Sequence, residues 1–181
     1  DVGCYTGMSS ILFALVLDKF QGKVFSIDWF RGSETTNLEF SGKYFNLKRI
    51  FEENIKQFSQ SSRIELIDES SIPASKKFAD NSLDLVFLDS DHRYVHIKND
   101  INHWLPKVKK GGLLCGHDSE IVLTKGLETL YEAFAGEDKI EVIHLGVCKA
   151  VAELGGKKTK STPPSTYLEA TQSGIWYYQK I

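Results

Sequence analysis

The chain has 181 residues, of which 41% are hydrophobic and 25% charged, a balance typical of one soluble globular domain. Its 22 Lys and Arg against 24 Asp and Glu give a formal net charge of −2, so no broad basic surface indicates a nucleic-acid partner. Three cysteines without paired metal-ligand spacing favour a reducing, cytoplasmic setting over a disulfide framework. No apolar run is long enough to span a membrane and no signal peptide is visible.

The opening motif, DVGCYTGMSS (residues 1–10), leads directly into an apolar helix predicted over Ser9–Phe20. Gly3 permits a tight turn and Gly7 lets the backbone approach a ligand closely. The start of the helix can present free N–H groups to the polar end of a cofactor. A glycine-containing loop before a buried helix is the simpler alternative, because a lone glycine pattern is weak evidence. Since the chain opens at this motif, we expect an N-terminal segment, supplying most of the first strand, to be missing from the sequence.

Predicted strands and helices alternate after this motif. The predicted strands are Lys23–Ile27, Arg63–Ile67, Leu83–Leu88 and Leu113–Cys115, and the later helices are Lys43–Phe58 and Ile97–Val108. Arg31–Gly42 is predicted as a loop and Lys110-Gly111-Gly112 as a turn. This alternation is typical of an α/β fold with a doubly wound, mostly parallel sheet.

Polar residues follow each predicted strand at the point where it ends. They are Asp28, then Asp68-Glu69-Ser70, then Asp89, and finally His117-Asp118. In an open parallel sheet these ends share one edge and ligands bind outside it, although turns favour Asp and Ser in any case. An acid in the position of Asp28 can accept both ribose hydroxyls of an adenosine. Residues 68–70 would then flank the adenine.

Four stretches, in this order, resemble motifs of class I S-adenosylmethionine-dependent O-methyltransferases. They are Asp1–Ser9, Ser26–Asp28, Asp84–Asp91 and Gly111–Asp118. The similarity is greatest to the small-molecule group that includes the catechol and caffeoyl-coenzyme A enzymes. The run DSDHRY (89–94) together with GHD (116–118) is closer still to bacterial methyltransferases that act on antibiotics and sugars. The resemblance implies a seven-stranded, Rossmann-like sheet with a C-terminal antiparallel strand.

The resemblance also implies S-adenosylmethionine as the cofactor. The opening motif would hold its methionine end, Asp28 and Trp29 its ribose, and the Ser70 region its adenine. The full implied cofactor set is Asp1, Gly3, Cys4, Tyr5, Gly7, Ser9, Asp28, Trp29, Glu69, Ser70 and Asp89.

A divalent metal site is implied at Asp89, His117 and Asp118, the positions that match the ligands of the metal-dependent members. This sequence departs from the catechol-type pattern at His117, where those enzymes have an acid. Magnesium prefers oxygen ligands, whereas imidazole suits manganese, iron, nickel or zinc. Either the site takes a softer ion than magnesium, or His117 catalyses or orients instead of ligating.

The chemistry requires that the acceptor hydroxyl lose its proton as it attacks the activated sulfonium methyl. A metal can stabilise the resulting oxyanion, and a histidine with a pKa near neutrality can act as general base. His92, three residues beyond Asp89, is the first candidate for this base and His117 the second. The alternative for His92 is a loop histidine that bonds only its neighbours. His96 and His103 are predicted to be surface or packing residues.

The pattern is weaker beyond Asp118. Residues 119–145, including a helical stretch Thr124–Ala135, are interpreted as an insertion acting as a lid or substrate selector; a sixth strand over Ile140–Leu145 is the alternative. In the preferred interpretation, His144–Val151 resembles the start of the helix that follows the fifth strand. Gly155–Pro164 is predicted as a flexible loop, and Tyr167–Ala170 and Ile175–Gln179 as an antiparallel pair.

The sequence therefore predicts a single methyltransferase domain over residues 1–181 that acts on a hydroxyl of a small molecule. A metal-independent N-methyltransferase and a cofactor-binding module without catalysis are alternatives. An NAD-type Rossmann oxidoreductase is a third, although the Gly-x-Gly-x-x-Gly order is missing. No membrane or nucleic-acid partner is expected, and a homo-oligomer is compatible with the sequence.

Overall fold

The computed structural model describes residues 1–31, 46–120, 143–155, 160–161 and 174–181. The chain divides into two compact units, Asp1–Ala74 and Ser75–Ile181. Most of the predicted 31–42 loop, the helix predicted over 124–135 and the strand predicted over 167–170 lie outside the described residues. Among the described helices, none has the length and apolar character needed to cross a bilayer.

The first unit contains a parallel pair of strands with three helices. The strands are β1 (Val24–Ile27) and β2 (Ile64–Ile67), and the helices are α1 (Met8–Val16), α2 (Leu47–Gln57) and α3 (Ser71–Ser75). A parallel bridge joins Val2 to Ile27. These elements confirm the predicted order of this part of the chain, with ends that differ by a few residues.

The core of the first unit forms because α1 and α2 each turn one apolar stripe inward. Ile11 and Ala14 of α1 are buried in the same cluster as Phe51 and Ile55 of α2. Asn46 caps α2, since its side chain accepts a hydrogen bond of 3.0 Å from the Arg49 N–H. The motif at the start of α1 is thereby held against a packed core.

The second unit is built on a four-stranded sheet in the order β3-β4-β6-β5. Its strands are β3 (Leu83–Leu88), β4 (Val108–Gly116), β5 (Lys160–Ser161) and β6 (Trp176–Gln179), and its helices are α4 (Tyr94–Trp104) and α5 (Leu145–Gly155). β3 and β4 are parallel, whereas β6 runs antiparallel to both β4 and β5. The predicted C-terminal antiparallel strand is therefore present.

The prediction of a turn at residues 110–112 was wrong, because β4 begins at Val108 and runs through both glycines. The register shifts opposite Leu83 and Leu85 of β3, as in a bulge, and Gly111 adopts a φ of +79°. The backbone of Lys180 stabilises this irregular stretch, since it accepts from the Gly111 N–H at 2.7 Å and donates to the Gly112 carbonyl at 3.0 Å. Two adjacent glycines here mark a bulge in a strand.

Two further boundaries differ from the predictions, and a third agrees with the preferred interpretation. The helix predicted over 97–108 is α4, which begins at Tyr94 and gives way to a 3₁₀ turn at Leu105–Lys107, where Pro106 cannot continue an α-helix. Residues 160–161 were predicted as loop but pair with β6. Helix α5 begins at Leu145, as the preferred interpretation requires, so the alternative strand does not extend to that residue.

Gly116→Ala is expected to destabilise the protein by about 3 kcal/mol, because overpacking a rigid site is costly. A Cβ at residue 116 would lie 2.4 Å from the Leu88 carbonyl oxygen and 2.7 Å from the Trp176 ring. Gly111→Ala is the matched control: nothing lies near its Cβ position, so only the left-handed backbone costs energy, about 1 kcal/mol. Denaturant unfolding measures both, and equal losses would contradict the packing argument.

Candidate functional site

Asp28 lies directly after β1 and is bonded to the opening motif. Its Oδ2 accepts a hydrogen bond of 2.8 Å from the Tyr5 N–H, and its Oδ1 accepts one of 2.7 Å from the Phe30 N–H. Burial raises the pKa of this carboxyl, and the backbone N–H donors oppose the rise. The acid predicted to bind ribose is therefore held beside the glycine motif in a fixed orientation.

The two motif glycines both have left-handed backbones, with φ of +87° at Gly3 and +92° at Gly7. The Gly3 N–H donates to the Ile27 carbonyl at 2.8 Å, which ties the turn to β1. A Cβ on Gly7 would lie 2.9 Å from the Phe51 ring. Packing against α2 thus requires glycine at position 7, and its predicted approach to a cofactor stays a prediction.

A buried polar network anchors the start of α1. Asp1 Oδ2 accepts from Ser9 Oγ at 2.7 Å and also from Ser10 Oγ, and Ser26 Oγ of β1 donates to Ser10 Oγ at 2.6 Å. Ser10 and Ser26 are fully buried. The sequence analysis did not identify these two serines as site residues. Their only signal was that each is a small polar residue inside an apolar element, Ser10 in a helix and Ser26 in a strand. They connect the motif to β1 through a chain of hydroxyl hydrogen bonds.

The remaining predicted cofactor residues differ in their exposure to solvent. Cys4 belongs to the buried core, where burial and the nearby Asp28 carboxylate raise the pKa of its thiol. Tyr5 and Trp29 are 56% and 44% exposed, so their rings can receive a ligand. Glu69 and Ser70 are half-buried and follow β2 directly. Among these residues, Cys4 contributes to packing and the others present polar or aromatic groups at the surface.

In the second unit, Asp89, His117 and Asp118 lie together because β3 and β4 are parallel neighbours. Asp89 follows β3, and the other two follow β4. His117 Nδ1 is 3.3 Å from Asp118 Oδ1 and 3.9 Å from Asp89 Oδ1. One ligand atom from each of the three residues lies within 4.8 Å of the others. The Asp118 side chain is only 7% exposed and its backbone φ is +64°.

His92 completes this cluster. Its Nε2 lies 2.6 Å from Asp118 Oδ2 and 3.7 Å from Asp89 Oδ1, in ion-pair contact with the nearer carboxylate although not aligned as a hydrogen bond. Burial lowers the pKa of His92, but Asp118 and Asp89 outweigh burial and raise it to about 10. The pKa of His117 is also raised, first by its contact with Asp118. Both imidazoles therefore balance a strongly negative pair of carboxylates.

Glu120 and His144 join the cluster, and sequence reasoning missed both as site residues. Glu120 Oε2 accepts from the His144 backbone N–H at 3.0 Å, and Glu120 Oε1 is 2.6 Å from His144 Nδ1. The same Nδ1 is 3.5 Å from Asp118 Oδ1, and the His92 and His144 ring centroids are 4.7 Å apart. The two residues are 24 positions apart, and no local spacing links them. A second set of cation-compatible ligand atoms, from Asp118, Glu120 and His144, results.

Two contacts with residues 174–181, one of them within β6, support the loop that carries Asp118. Trp176 is fully buried, and its Nε1 donates to the His117 carbonyl at 3.2 Å. On the other side, the Ser119 N–H donates to the Gly174 carbonyl at 3.0 Å. The strained backbone of Asp118 is thus held from both flanks.

Solved structures of methyltransferases share this fold. An O-methyltransferase from Bacillus cereus in complex with SAH is 15% identical, with a TM-score of 0.66, over 99% of this chain and 72% of that chain. The SAH-bound methyltransferase PaMTH1 from Podospora anserina is 12% identical, with a TM-score of 0.61, over 99% and 70%. A SAM-dependent O-methyltransferase from Thermotoga maritima is 15% identical, with a TM-score of 0.58, over 99% and 57%. The chain therefore has a methyltransferase-like α/β fold.

Sequence comparison identifies the family. The chain is 26% identical to uncharacterized protein y4gI of Sinorhizobium fredii over 123 residues, which are 67% of this chain and 13% of that protein. It thus spans about an eighth of the length of this relative. The family described as a methyltransferase domain matches residues 1–119, more than half of the chain. The predicted resemblance to methyltransferases is confirmed: the chain belongs to the family described as a methyltransferase domain.

Proposed function

We propose that this protein transfers a methyl group from S-adenosylmethionine to a hydroxyl of a small molecule. The observation that carries the acceptor assignment is the cluster of Asp89, His92, His117 and Asp118 at the ends of two parallel strands. Carboxylates and imidazoles at this density can take a proton from a hydroxyl and stabilise the charge that forms. The family match does not favour an NAD-dependent oxidoreductase.

The first unit would bind the cofactor. Each oxygen of the Asp28 carboxylate accepts one backbone N–H and retains lone pairs for the ribose hydroxyls. Helix α1 has no side-chain cap at Gly7, so its first N–H groups suit the carboxylate of the methionine end. Trp29 would lie against the ribose, and Glu69 and Ser70 at the adenine. Asp1 and Ser9 would hold the motif in place.

A divalent cation fits Asp89, His117 and Asp118, since one ligand atom of each already lies within 4.8 Å of the others. The two carboxylates also raise the pKa values of His92 and His117. A site with an imidazole among its ligands suits manganese or iron better than magnesium. When bound, such an ion supplies charge stabilisation for the acceptor oxygen. It would also replace the positive charge that His92 and His117 now place beside the carboxylates.

His92 is proposed to take the hydroxyl proton, with His117 as the second candidate. With a pKa of about 10, His92 is protonated at neutral pH. It can therefore act as a base only at alkaline pH or when another positive charge beside Asp118 lowers that pKa. Asp89 and Asp118 would hold the ring in place and stabilise its charged form after the transfer.

The finer architecture is part of this proposal. We infer a seven-stranded, doubly wound sheet in a single domain, with residues 119–145 acting as a lid or selector for the acceptor. The described cysteines are buried thiols, which supports the proposal of a cytoplasmic protein. A homo-oligomer is compatible with these features, and neither a nucleic acid nor a membrane is proposed as a partner.

Ligand-dependent thermal unfolding tests the cofactor assignment. SAH at about 100 times its Kd is expected to stabilise the protein by about 2.7 kcal/mol, which corresponds to roughly 5–10 °C in a chain of this size. NAD at the same concentration is the matched control and should leave the unfolding temperature unchanged. Stabilisation by NAD alone would overturn the assignment and favour the oxidoreductase.

A further inference from the structure

We propose that Asp118, Glu120 and His144 form a second cation site, which shares Asp118 with the set of Asp89, His117 and Asp118. The protein would then hold a pair of transition-metal ions joined by one carboxylate. This inference rests on the proposed function, because it adds a second ion beside the one proposed there. Neither Glu120 nor His144 belongs to the four motifs that resemble the methyltransferases.

The donor atoms of this second set lie close together. His144 Nδ1 is 2.6 Å from Glu120 Oε1 and 3.5 Å from Asp118 Oδ1. One ligand atom from each of the three residues lies within 4.8 Å of the others. Ligand atoms bound to one ion at about 2.0–2.2 Å are themselves about 3.0–3.4 Å apart. Side-chain shifts below about 1 Å would bring the two distances from Nδ1 into this range.

The second set is more buried than the first. The exposed fractions of its side chains are 7% for Asp118, 10% for Glu120 and 14% for His144. In the first set Asp89 and His117 keep 32% and 36%. Buried carboxylates are costly unless they are paired or bind a metal. The Asp118 and Glu120 carboxylates together carry two negative charges, which one divalent ion between them would match.

Asp118 lies between the two sets in a way that suits a bridging ligand. Its Oδ1 is 3.3 Å from His117 Nδ1 and 3.5 Å from His144 Nδ1. Each of these nitrogens also faces a second carboxylate, Asp89 in the first set and Glu120 in the second. The two sets therefore have the same donors, two carboxylates and one imidazole. Such donors suit manganese, iron or zinc better than magnesium.

The Glu120 carboxylate is oriented by contacts outside the donor set. Its Oε2 accepts from the His144 backbone N–H at 3.0 Å and from Cys148 Sγ at 3.8 Å. The other oxygen, Oε1, is the one that faces Nδ1. Carboxylates that bind metals are themselves commonly held by hydrogen bonds of this kind. The contacts therefore direct Oε1 to where an ion would lie.

A purely structural role for Glu120 makes a different prediction. The His144 backbone N–H precedes α5, so Glu120 Oε2 also caps this helix. If capping were its whole role, Glu120 would contribute to stability, and its loss would not change how many ions the protein binds. The number of bound ions therefore separates the two roles.

Mn²⁺ binding to the full chain, followed by calorimetric titration and by electron paramagnetic resonance, tests the inference. We expect two Mn²⁺ per chain. Two ions that share the Asp118 carboxylate should couple magnetically, so the spectrum of the loaded protein should lose the hyperfine pattern of an isolated ion. A single Mn²⁺, none at all, or two ions without magnetic coupling would overturn the proposal.

Glu120→Gln should weaken binding of the second ion by at least about 10- to 100-fold, the loss that even an outer partner of a metal ligand can cause. The remaining ion should then give the spectrum of isolated Mn²⁺. Glu153→Gln on α5 is the matched control: Glu153 binds Tyr94 and Lys98, and its substitution should leave both ions bound. Two coupled ions in Glu120→Gln would show that Glu120 is a helix cap and no ligand.

Asp89→Asn tests the second site without changing any of its ligands. This variant should lose the first ion and retain one Mn²⁺ at Asp118, Glu120 and His144. A protein that has only the first set would lose Mn²⁺ binding altogether. The variant therefore decides the question even if Glu120→Gln fails to fold.

Calorimetric titration of the wild-type protein with SAH separates this inference from the proposed function. A protein that fails to bind SAH but holds two coupled Mn²⁺ overturns the proposed function and keeps the second site. A protein that binds SAH but holds a single Mn²⁺ overturns the second site alone.

Discussion

Asp28→Asn is expected to weaken SAH binding about 10- to 100-fold, the cost of losing charge-assisted hydrogen bonds to the ribose. The substitution preserves shape but leaves one oxygen where two now accept the Tyr5 and Phe30 N–H groups. One N–H loses its partner at a cost of about 1 kcal/mol, while relief of a partly buried charge acts in the opposite direction. The unfolding free energy should therefore change little, and calorimetric titration isolates the effect on binding.

Glu65→Gln is the control for the change in charge. Glu65 lies on β2 of the same unit and pairs with Lys23 at the surface. Its substitution should leave the affinity for SAH unchanged. If Asp28→Asn bound SAH as tightly as wild type, the adenosine assignment at β1 would be wrong.

The raised pKa of Asp28 predicts a pH dependence of stability that can be measured on the same variant. Burial raises this pKa above its ordinary value, so the folded state disfavours the carboxylate. Between the ordinary and the folded pKa, the contribution of Asp28 to the free energy of unfolding falls as the pH rises. Asp28→Asn removes this term, so its stability should fall less than that of wild type over the same interval.

Asp118→Asn is expected to lower methyl transfer to catechol, used here as a test acceptor, by about 1,000-fold, comparable to the loss of one electrostatic stabiliser in a closed site. Mn²⁺ binding should be lost, because Asp118 belongs to both sets of cation-compatible ligands. SAH binding should be preserved, since Asp118 is not among the residues proposed to bind the cofactor. Asn tolerates the left-handed backbone of residue 118 better than most residues, so the fold should persist.

Asp84→Asn provides the matched control, because Asp84 is an exposed carboxylate on β3 that pairs with Lys109. Calorimetric titration with Mn²⁺ and turnover with and without chelator complete the test. Full activity of wild type in excess chelator would remove the ion from the mechanism and favour the metal-independent alternative. Full activity of Asp118→Asn would show that the cluster around Asp118 takes no part in the reaction.

The sequence predicted those parts of the fold that depend on local periodicity and on chain order. β3 has the predicted bounds because its apolar run, interrupted only by Asp84, lies between polar residues at both ends. Asp28, Asp89 and Asp118 were found because each lies within two residues of the end of a strand. Gly111 and Gly112 were misjudged because a glycine pair is equally compatible with a turn and with a bulge, and only the partner strand distinguishes them.

The contacts that could not be predicted are those made across long sequence separations. His144 and Glu120 approach each other only because β4 and α5 bring their ends together, and neither residue has a local motif. Lys160–Ser161 had the composition of a loop, yet β6 offered it an unpaired edge. The structure of these residues depends on neighbours in space that no local sequence pattern identifies.

The contacts of Trp176 and Gly174 have a consequence for handling this protein. Residues 174–181 are far from Asp118 in sequence, yet they hold the backbone on both sides of it. They cannot be treated as a dispensable tail. A variant that lacks residues 174–181 is expected to bind SAH through the first unit and still be inactive, a defect that a binding screen alone would overlook.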